Sequence, residues 1–507
     1  MQALKIANHP RTLPVLLYTG VPFIITSGLW ATSLYNVTLP QVIAAFILCW
    51  IPWAAYQEWV RGPREKIPLF VLIGVMYWIA YAPPLFWTKH QIDQIVIMHQ
   101  LSESAITQSL YLVILGVAAL GSGMAVAGRI RFKGSFRLDI HRSPARWHYL
   151  RFVLLAAAFL RIVVPINMLG GGGRQFLAII ETVVPSVVFV ILLRYYLRGK
   201  AIPVDKVLLA GYAGIALLAG ISSGWLGNFV GVAIMAAAVY VYERRKFPLV
   251  AIMIVVPVIL FLQPGKEKFR QQYWRPGASE SYIERFNFWM GSSWSEWGAT
   301  LSNADEEQAR NLANQTLGRL SLLQQTANVM ESTPERVPYQ NGRLYSYMLV
   351  TLVPRFFWPD KPSVNDSNRW YQVAYRLTAR NDLNGVSIAV GYLPESYINF
   401  GWLGPPVVMF CLGILLGLFD RIFLRPGSGL LLNSIGVALL PQLVPVEGQL
   451  AQYIAGFGQQ IAVALITLAP MFDLHRNESY RDAGIRNKER RALLTRNRPQ
   501  AEFLHRS

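Results

Sequence analysis

The most constraining feature of this sequence is a series of apolar runs, each of about 20 residues, that recur through most of its length. A bilayer core is about 30 Å thick, so a helix needs about 20 apolar residues to cross it. Of the 507 residues, 53% are hydrophobic and 15% are charged, whereas a soluble domain has about 25% charged residues. The sequence therefore predicts a polytopic membrane protein and excludes disordered, fibrous and most soluble classes.

Twelve candidate spans follow from these runs. They cover residues 12–32, 40–59, 68–87, 107–127, 149–168, 177–196, 206–222, 225–242, 247–263, 402–420, 428–446 and 452–470. No small-residue cleavage site follows the basic N-terminus, so we expect no cleavable signal peptide. The predicted fold is an all-α polytopic membrane protein with about 12 transmembrane helices and one large helical loop.

The basic residues between the spans predict the orientation. If the N-terminus is cytoplasmic, the segments on that side contain twenty Lys and Arg residues, and the short segments on the other side contain Lys89 and Arg174 alone. Cytoplasmic loops of membrane proteins carry the excess of Lys and Arg. We therefore predict that both termini are cytoplasmic. The net charge of +19 is then explained by topology, without a nucleic-acid partner.

This topology divides the chain into four parts. Residues 1–263 hold spans one to nine, residues 264–401 form a large outer loop, residues 402–473 hold spans ten to twelve, and residues 474–507 form a basic cytoplasmic tail. A loop of about 138 residues is uncommon unless it has a function. The large loop is therefore the predicted position of the active site.

The first half of the large loop begins with basic and aromatic residues. The cations that directly follow the ninth span are Lys266, Lys268, Arg270 and Arg275. A predicted helix over residues 279–298 carries Arg285. Apolar side chains between residues 304 and 331 recur every three or four positions, which predicts one long helix with a buried face.

The second half of the loop contains a proline-rich turn and a lone carboxylate. The segment that begins at Arg343 has an apolar part that is too short to span a membrane. Three prolines between residues 354 and 362 exclude a regular helix or a central strand and fix a rigid turn. The turn and its flanks present Arg355, Trp358, Asp360 and Lys361. The residues that lead into the tenth span include Glu395, Tyr397 and Asn399.

These residue types fit a site for a lipid with a phosphorylated polar head. The planar guanidinium of arginine binds phosphate oxygens in pairs and stays charged at any pH. Several arginines can hold a diphosphate and stabilise it as it leaves, and a nearby carboxylate can accept a proton from an attacking sugar hydroxyl. The alternative for each residue is an anchor at the membrane surface or a salt-bridge partner.

Arg161 lies within the fifth predicted span. An arginine inside a bilayer is costly and is a functional candidate by default, although it could also reach the interface or pair with Glu181. No His and Cys residues have metal-ligand spacing, and no glycine loop carries the Lys-Ser/Thr pair that binds nucleotide phosphates. We therefore expect neither a metal nor another cofactor.

Three strings in the second half resemble the Wzy-type oligosaccharide repeat-unit polymerases, which make O-antigen and exopolysaccharide. They are residues 266–274, 354–362 and 395–404. The resemblance implies a GT-C-like, metal-independent glycosyltransferase in the bacterial inner membrane. It would transfer a glycan chain from undecaprenyl diphosphate to a lipid-linked repeat unit at the periplasmic face. One departure is that the first outer loop, near residues 34–40, has no acid, which excludes a base from that position.

The resemblance also implies roles and partners. Arg270 and Arg355 would stabilise the diphosphate, and Glu395 would act as a base or orient the sugar hydroxyl. Further substrate-binding candidates are Arg161, Lys266, Arg275, Arg285, Arg343, Trp358, Asp360, Lys361, Tyr397 and Asn399. The implied partners are the undecaprenyl-diphosphate-linked oligosaccharide, membrane lipids and, as an optional partner, a chain-length regulator.

Three alternatives stand beside the polymerase. An O-antigen ligase, which transfers glycan to lipid A core, is associated with a histidine in the outer loop, and residues 264–401 contain none. A flippase or transporter of lipid-linked oligosaccharide usually shows matched halves, which this sequence lacks. The third alternative is a structural assembly factor.

Overall fold

The computed structural model describes residues 12–62, 67–130, 143–163, 171–224, 227–273, 281–303, 306–318, 320–353, 357–358, 360–383, 387–454 and 456–471. These residues are almost entirely helical, as the sequence predicts. One small addition is a two-stranded antiparallel hairpin of β1 (Gln91–Asp93) and β2 (Met98–Gln100). The predicted tail over residues 474–507 lies outside the described residues.

The helices fall into two groups. Those that overlap the predicted spans are α1 (Thr12–Ala31), α2 (Leu39–Arg61), α3 (Leu69–Trp87), α4 (Glu103–Arg129), α5 (Pro144–Val163), α6 (Gly171–Leu197), α7 (Pro203–Ser223), α8 (Gly227–Arg244), α9 (Leu249–Leu262), α17 (Gly404–Phe419), α18 (Leu430–Leu443), α19 (Leu450–Ile454) and α20 (Phe457–Thr467). Those of the large loop are α10 (Lys266–Tyr273), α11 (Tyr282–Asn303), α12 (Glu306–Leu317), α13 (Leu323–Ser332), α14 (Ser346–Leu352), α15 (Asp366–Ala374) and α16 (Tyr392–Phe400).

Seven helical stretches among the described residues are long and apolar enough to cross a membrane. They are Leu39–Arg61, Leu69–Trp87, Glu103–Arg129, Leu177–Leu197, Pro203–Gly220, Tyr392–Leu424 and Leu450–Thr467. α9 and α18 are shorter apolar helices. This composition indicates a multi-pass membrane protein, and the larger number of twelve crossings stays a prediction.

α4 and α17 pack with their backbones in direct contact, and glycine residues make this contact possible. A Cβ atom on Gly413 of α17 would lie 2.2 Å from the carbonyl oxygen of Leu120, and one on Gly123 of α4 would lie 2.2 Å from that of Phe410. Gly417, one turn beyond Gly413, lies against Ala127 in the same way. Small residues four apart let backbones touch, which is a common basis of helix association in membranes. Because successive contacts move toward the C-terminus of both helices, the two helices run parallel.

The parallel pair defines two ends of the bundle. Arg421 donates to the carbonyl oxygen of Ala127 at 2.9 Å, where α4 and α17 both finish. At the same end, Arg194 of α6 donates to Glu243 of α8 at 2.6 Å and to Asn433 of α18 at 2.8 Å. We call this the basic end, because helices finish there with Arg61, Arg129, Arg194, Arg244 and Arg421. The opposite end, where α4 and α17 begin, is called the loop end.

The large loop is attached to the loop end through α13. The Tyr81 hydroxyl of α3 lies 2.8 Å from the hydroxyl of Thr326, and Leu322 donates its backbone N–H to the carbonyl oxygen of Ala80 at 3.1 Å. Gln324 donates to the Thr88 hydroxyl at 2.6 Å. These groups are buried, and each has a partner, as buried polar groups require. α13 is therefore an integral part of the core.

The prediction of one helix over residues 304–331 is wrong. α12 ends at Leu317, and α13 begins only at Leu323. Gly318, whose backbone N–H bonds the carbonyl oxygen of Asn314 at 2.9 Å, ends the first helix, as glycine commonly does. The break turns the chain so that α13 packs against α3 and α4. The apolar periodicity therefore came from two helices: α12 packs against α3 and α11, whereas α13 packs against α3 and α4.

We predict that Gly413→Ala destabilises the bundle. The added methyl group meets backbone atoms of α4 that cannot rotate away, so the helices must separate, at a cost of ~1–3 kcal/mol or more. The thermal unfolding midpoint in detergent should fall. Gly214→Ala on α7 is the control, because no atom lies within 4 Å of a Cβ there. Equal midpoints for the two variants would contradict the proposed close contact.

Candidate functional site

Glu395 lies at the centre of the predicted site, and its side chain is enclosed. It is 0% exposed, although the sequence places it at a membrane surface. One carboxylate oxygen, Oε2, accepts the backbone N–H of Leu450 at 2.7 Å. The other, Oε1, is buried without a hydrogen-bond partner among the described residues. The carboxylate thus joins α16 to the start of α19 and keeps one oxygen uncommitted.

Asn399, one turn after Glu395, fixes the end of α16. Its side-chain amide donates to the carbonyl oxygen of Glu395 at 2.9 Å and accepts the N–H of Leu344 at 3.4 Å. Gln340 and Asn341 donate backbone N–H groups to the carbonyl oxygens of Ile398 and Asn399. The last carbonyls of the helix are therefore satisfied by the chain segment that crosses them.

Tyr345, which the sequence analysis did not select, lies in the same environment. It follows Leu344 in a short 3₁₀ turn (Arg343–Tyr345) before α14. Burial raises the pKa of its hydroxyl well above the usual range, and the negative charge of Glu395 raises it further. The nearby amide of Asn399 acts in the opposite direction. The Tyr345 hydroxyl is therefore held neutral beside the carboxylate.

A groove of about 420 Å³ runs along the outside of α16 and α17. Its polar wall contains Tyr339, Asn341 and Asn399, and its apolar wall contains Phe400, Leu403, Val407 and Val408. Leu403 is 75% exposed and Val407 is 60% exposed. The groove is therefore mainly apolar along the candidate span Tyr392–Leu424 and has a polar edge at Tyr339 and Asn341. Such a surface fits a ligand with one polar and one apolar part.

Lys361, a predicted substrate ligand, is committed to the fold. Its amine donates to the carbonyl oxygens of Val353 at 2.7 Å and Val350 at 3.2 Å, and the residue is 8% exposed. These carbonyls lie at the C-terminal end of α14, where a positive charge is favourable. Its neighbours Trp358 and Asp360 are exposed. The turn therefore exposes Trp358 and Asp360, while Lys361 bonds the C-terminal end of α14.

α10 carries three of the predicted cations, Lys266, Lys268 and Arg270, on a small second core. Phe269 and Trp289 are fully buried, with ring centroids 5.0 Å apart, and the Trp289 indole donates to the carbonyl oxygen of Leu262 at 2.8 Å. Lys268 pairs with Glu296 of α11 at 2.6 Å. These contacts fix the position of Lys266 and of the half-buried Arg270 on α10.

A carboxylate that the sequence analysis missed interacts electrostatically with this helix. Glu447 lies in the segment between α18 and α19, three residues before Leu450. The residue is exposed, partial desolvation raises the pKa of its carboxyl group, and the charge of Lys266 lowers that pKa. The segment 444–449 therefore lies within electrostatic range of Lys266, and Leu450, which follows the segment, is bonded by Glu395. One acid in a predicted short loop gave no signal without knowledge of this arrangement.

The other predicted ligands are placed as follows. Arg343 is exposed beside the groove residue Asn341. Tyr397 is buried, and its hydroxyl donates to the carbonyl oxygen of Thr333 at 3.4 Å. The guanidinium of Arg285 lies 5.4 Å from the Tyr273 ring centroid. Arg275, Arg355 and the side chain of Arg161 lie outside the described residues, so their predicted roles stay predictions.

We predict that Glu395→Ala lowers the unfolding midpoint, whereas Glu395→Gln does not. Alanine leaves the buried Leu450 N–H unpaired, which costs ~1–3 kcal/mol, while the glutamine oxygen can still accept it. Thermal unfolding in detergent distinguishes the two variants. A large loss for Glu395→Gln would show that the charge itself supports the fold, contrary to the contact described above.

One comparison with known proteins gives a match. A family profile described as a domain of unknown function, DUF8712, matches residues 69–421. The match begins with α3 and includes the α4–α17 pair, the α13 attachment and Glu395. No curated protein and no solved structure is detectably similar to the chain. Because the profile covers more than half of the sequence, the chain belongs to the DUF8712 family.

Proposed function

We propose that this protein is a glycan polymerase that acts on lipid-linked oligosaccharides at the loop end of the bundle. It would transfer a glycan chain from undecaprenyl diphosphate to a lipid-linked repeat unit, with a GT-C-like arrangement of twelve spans. The basic end would face the cytoplasm, as the excess of Lys and Arg favours. The membrane would then be the bacterial inner membrane.

The observation that carries this proposal is the groove beside α16 and α17. A lipid-linked glycan has an isoprenoid chain, a diphosphate and a sugar head. The apolar wall at Leu403 and Val407 suits the chain, and the polar wall at Asn341 suits the head. Arg343, two residues from Asn341, is exposed and can meet a phosphate. The uncommitted oxygen of Glu395 lies one turn from groove residue Asn399.

The remaining cations would act on the diphosphate. Arg270 and Lys266 lie on one short helix, and the charge of Lys266 acts on Glu447. Positive groups that stabilise developing charge on a leaving diphosphate supply catalysis without a metal. An accessible carboxylate such as Glu447 can accept the proton of the attacking sugar hydroxyl, which a general base must reach. Arg355 retains its predicted role on the diphosphate.

The experiment that tests the proposal is a glycan size profile from a deletion strain, with lipid-linked species separated by leaflet. We expect single repeats on the outer leaflet and no long chains. Long chains stranded on the carrier lipid would instead indicate a ligase. Repeats trapped on the cytoplasmic leaflet would indicate a flippase. A normal profile would overturn every reading that involves a lipid-linked glycan.

We predict that Val407→Trp, which fills the groove, reduces polymer formation about tenfold, the equivalent of ~1.4 kcal/mol of binding free energy. The variant should still insert and fold, because the site faces outward. Leu415→Trp is the control, because Leu415 is 54% exposed on the same helix but does not line the groove. Equal polymer yields from both variants would exclude the groove as the lipid site.

We also predict that Arg270→Ala abolishes polymer without loss of folded protein. Arg270→Lys should fail as well if the guanidinium binds two phosphate oxygens at once. Gln272→Ala on the same helix is the control, because Gln272 is exposed and is not among the contacts that fix α10. Normal chain length in Arg270→Ala would remove this residue from the site.

A further inference from the structure

A second cavity, of about 340 Å³, lies at the loop end between the segments 32–38 and 88–102 and the first turn of α4. It shares no lining residue with the groove. The side chains that matter for its chemistry are Tyr35, Asn36, His90, Gln91, Gln100 and Glu103. None of them was selected by the sequence analysis.

Three hydrogen bonds hold the walls of this cavity in place. Asn314 of α12 accepts the backbone N–H of Lys89 at 2.6 Å and donates to the Tyr35 hydroxyl at 3.3 Å. Leu34 donates its N–H to the carbonyl oxygen of Phe86 at 2.9 Å. The large loop therefore shapes a cavity whose lining comes from two short connections of the bundle.

Several polar groups in the wall are not used by the fold. The side chains of Asn36, Gln91, Gln100 and Glu103 make no hydrogen bond or ion pair with other described residues. Each amide offers donors and an acceptor, and the carboxylate offers acceptors. The Tyr35 ring lies next to the His90 ring, with 5.9 Å between centroids, and the Arg310 guanidinium lies 5.5 Å from the Tyr35 centroid. The aromatic part of the wall is thus the Tyr35–His90 pair.

We propose that this cavity binds a sugar unit of a glycan. A sugar carries hydroxyl groups that both donate and accept, together with an apolar face that packs on an aromatic ring. Three amides, one carboxylate and one tyrosine match this pattern. A phosphate ligand fits less well, because Glu103 offsets the charge of Lys89, the cation of the wall. In one respect the inference rests on the proposed function, since it makes this glycan the acceptor repeat.

The test is direct binding to the full-length protein in nanodiscs. The probe is the lipid-free repeat-unit oligosaccharide released by mild acid from the lipid-linked repeats of the host, and Kd is measured by saturation-transfer NMR. The double variant Asn36→Ala/Gln91→Ala should bind about tenfold more weakly, the loss expected for two hydrogen bonds. Ser104→Ala, next to Glu103 but outside the lining, should bind like the wild type.

Two results would overturn the inference: no binding by the wild type, or an unchanged Kd in the double variant with an unchanged unfolding midpoint. Either failure is distinct from failure of the proposed function. Oligosaccharide binding together with a normal glycan profile in the deletion strain would remove the polymerase and keep the cavity. Loss of polymer in that strain without oligosaccharide binding would remove the cavity and keep the polymerase.

Discussion

The arrangement of the whole loop end depends on the backbone contact between α4 and α17. Because Gly413 and Gly123 have no side chains, the two helices touch along parallel paths. Parallel helices start at the same end, so the segment 88–102 before α4 and α16 before α17 are brought to the same end of the bundle. α13 packs into the space that they leave, against α4 and α16. Both the groove and the second cavity border on this assembly.

Buried polar contacts, together with apolar ones, hold the large loop against the bundle. Thr326, Gln324 and Asn328 are buried on α13, and each meets a polar group of α3 or of the segment that follows it. Burying such groups costs free energy of folding unless they are paired, so they favour one position of the helix. Under the proposed function the position of α13 would matter, because misplacement of reacting groups by about 1 Å can cost about 100-fold in rate.

The sequence predicts the structural features that depend on a local residue pattern. It does not predict those that depend on contacts with residues far away in the chain. The apolar runs predict the long helices of the bundle, because each run must be buried or face lipid wherever it lies. The burial of Glu395 depends on Leu450, 55 residues later, and the role of Lys361 depends on carbonyls that a short helix leaves open. The apolar periodicity of residues 304–331 is present, but Gly318 ends the first helix, so the periodicity is shared by α12 and α13.

The two carboxylates of the site have complementary positions, and this bears on which of them can act on a substrate. A general base must come within hydrogen-bond distance of the proton that it accepts. Glu395 is enclosed and holds the N–H of Leu450, so it is suited to fix the segment 444–449. Glu447, on that segment, is exposed, and the charge of Lys266 acts on it. Under the proposed function, Glu395 is therefore a positioning residue, and Glu447 is the carboxylate that can reach the sugar hydroxyl.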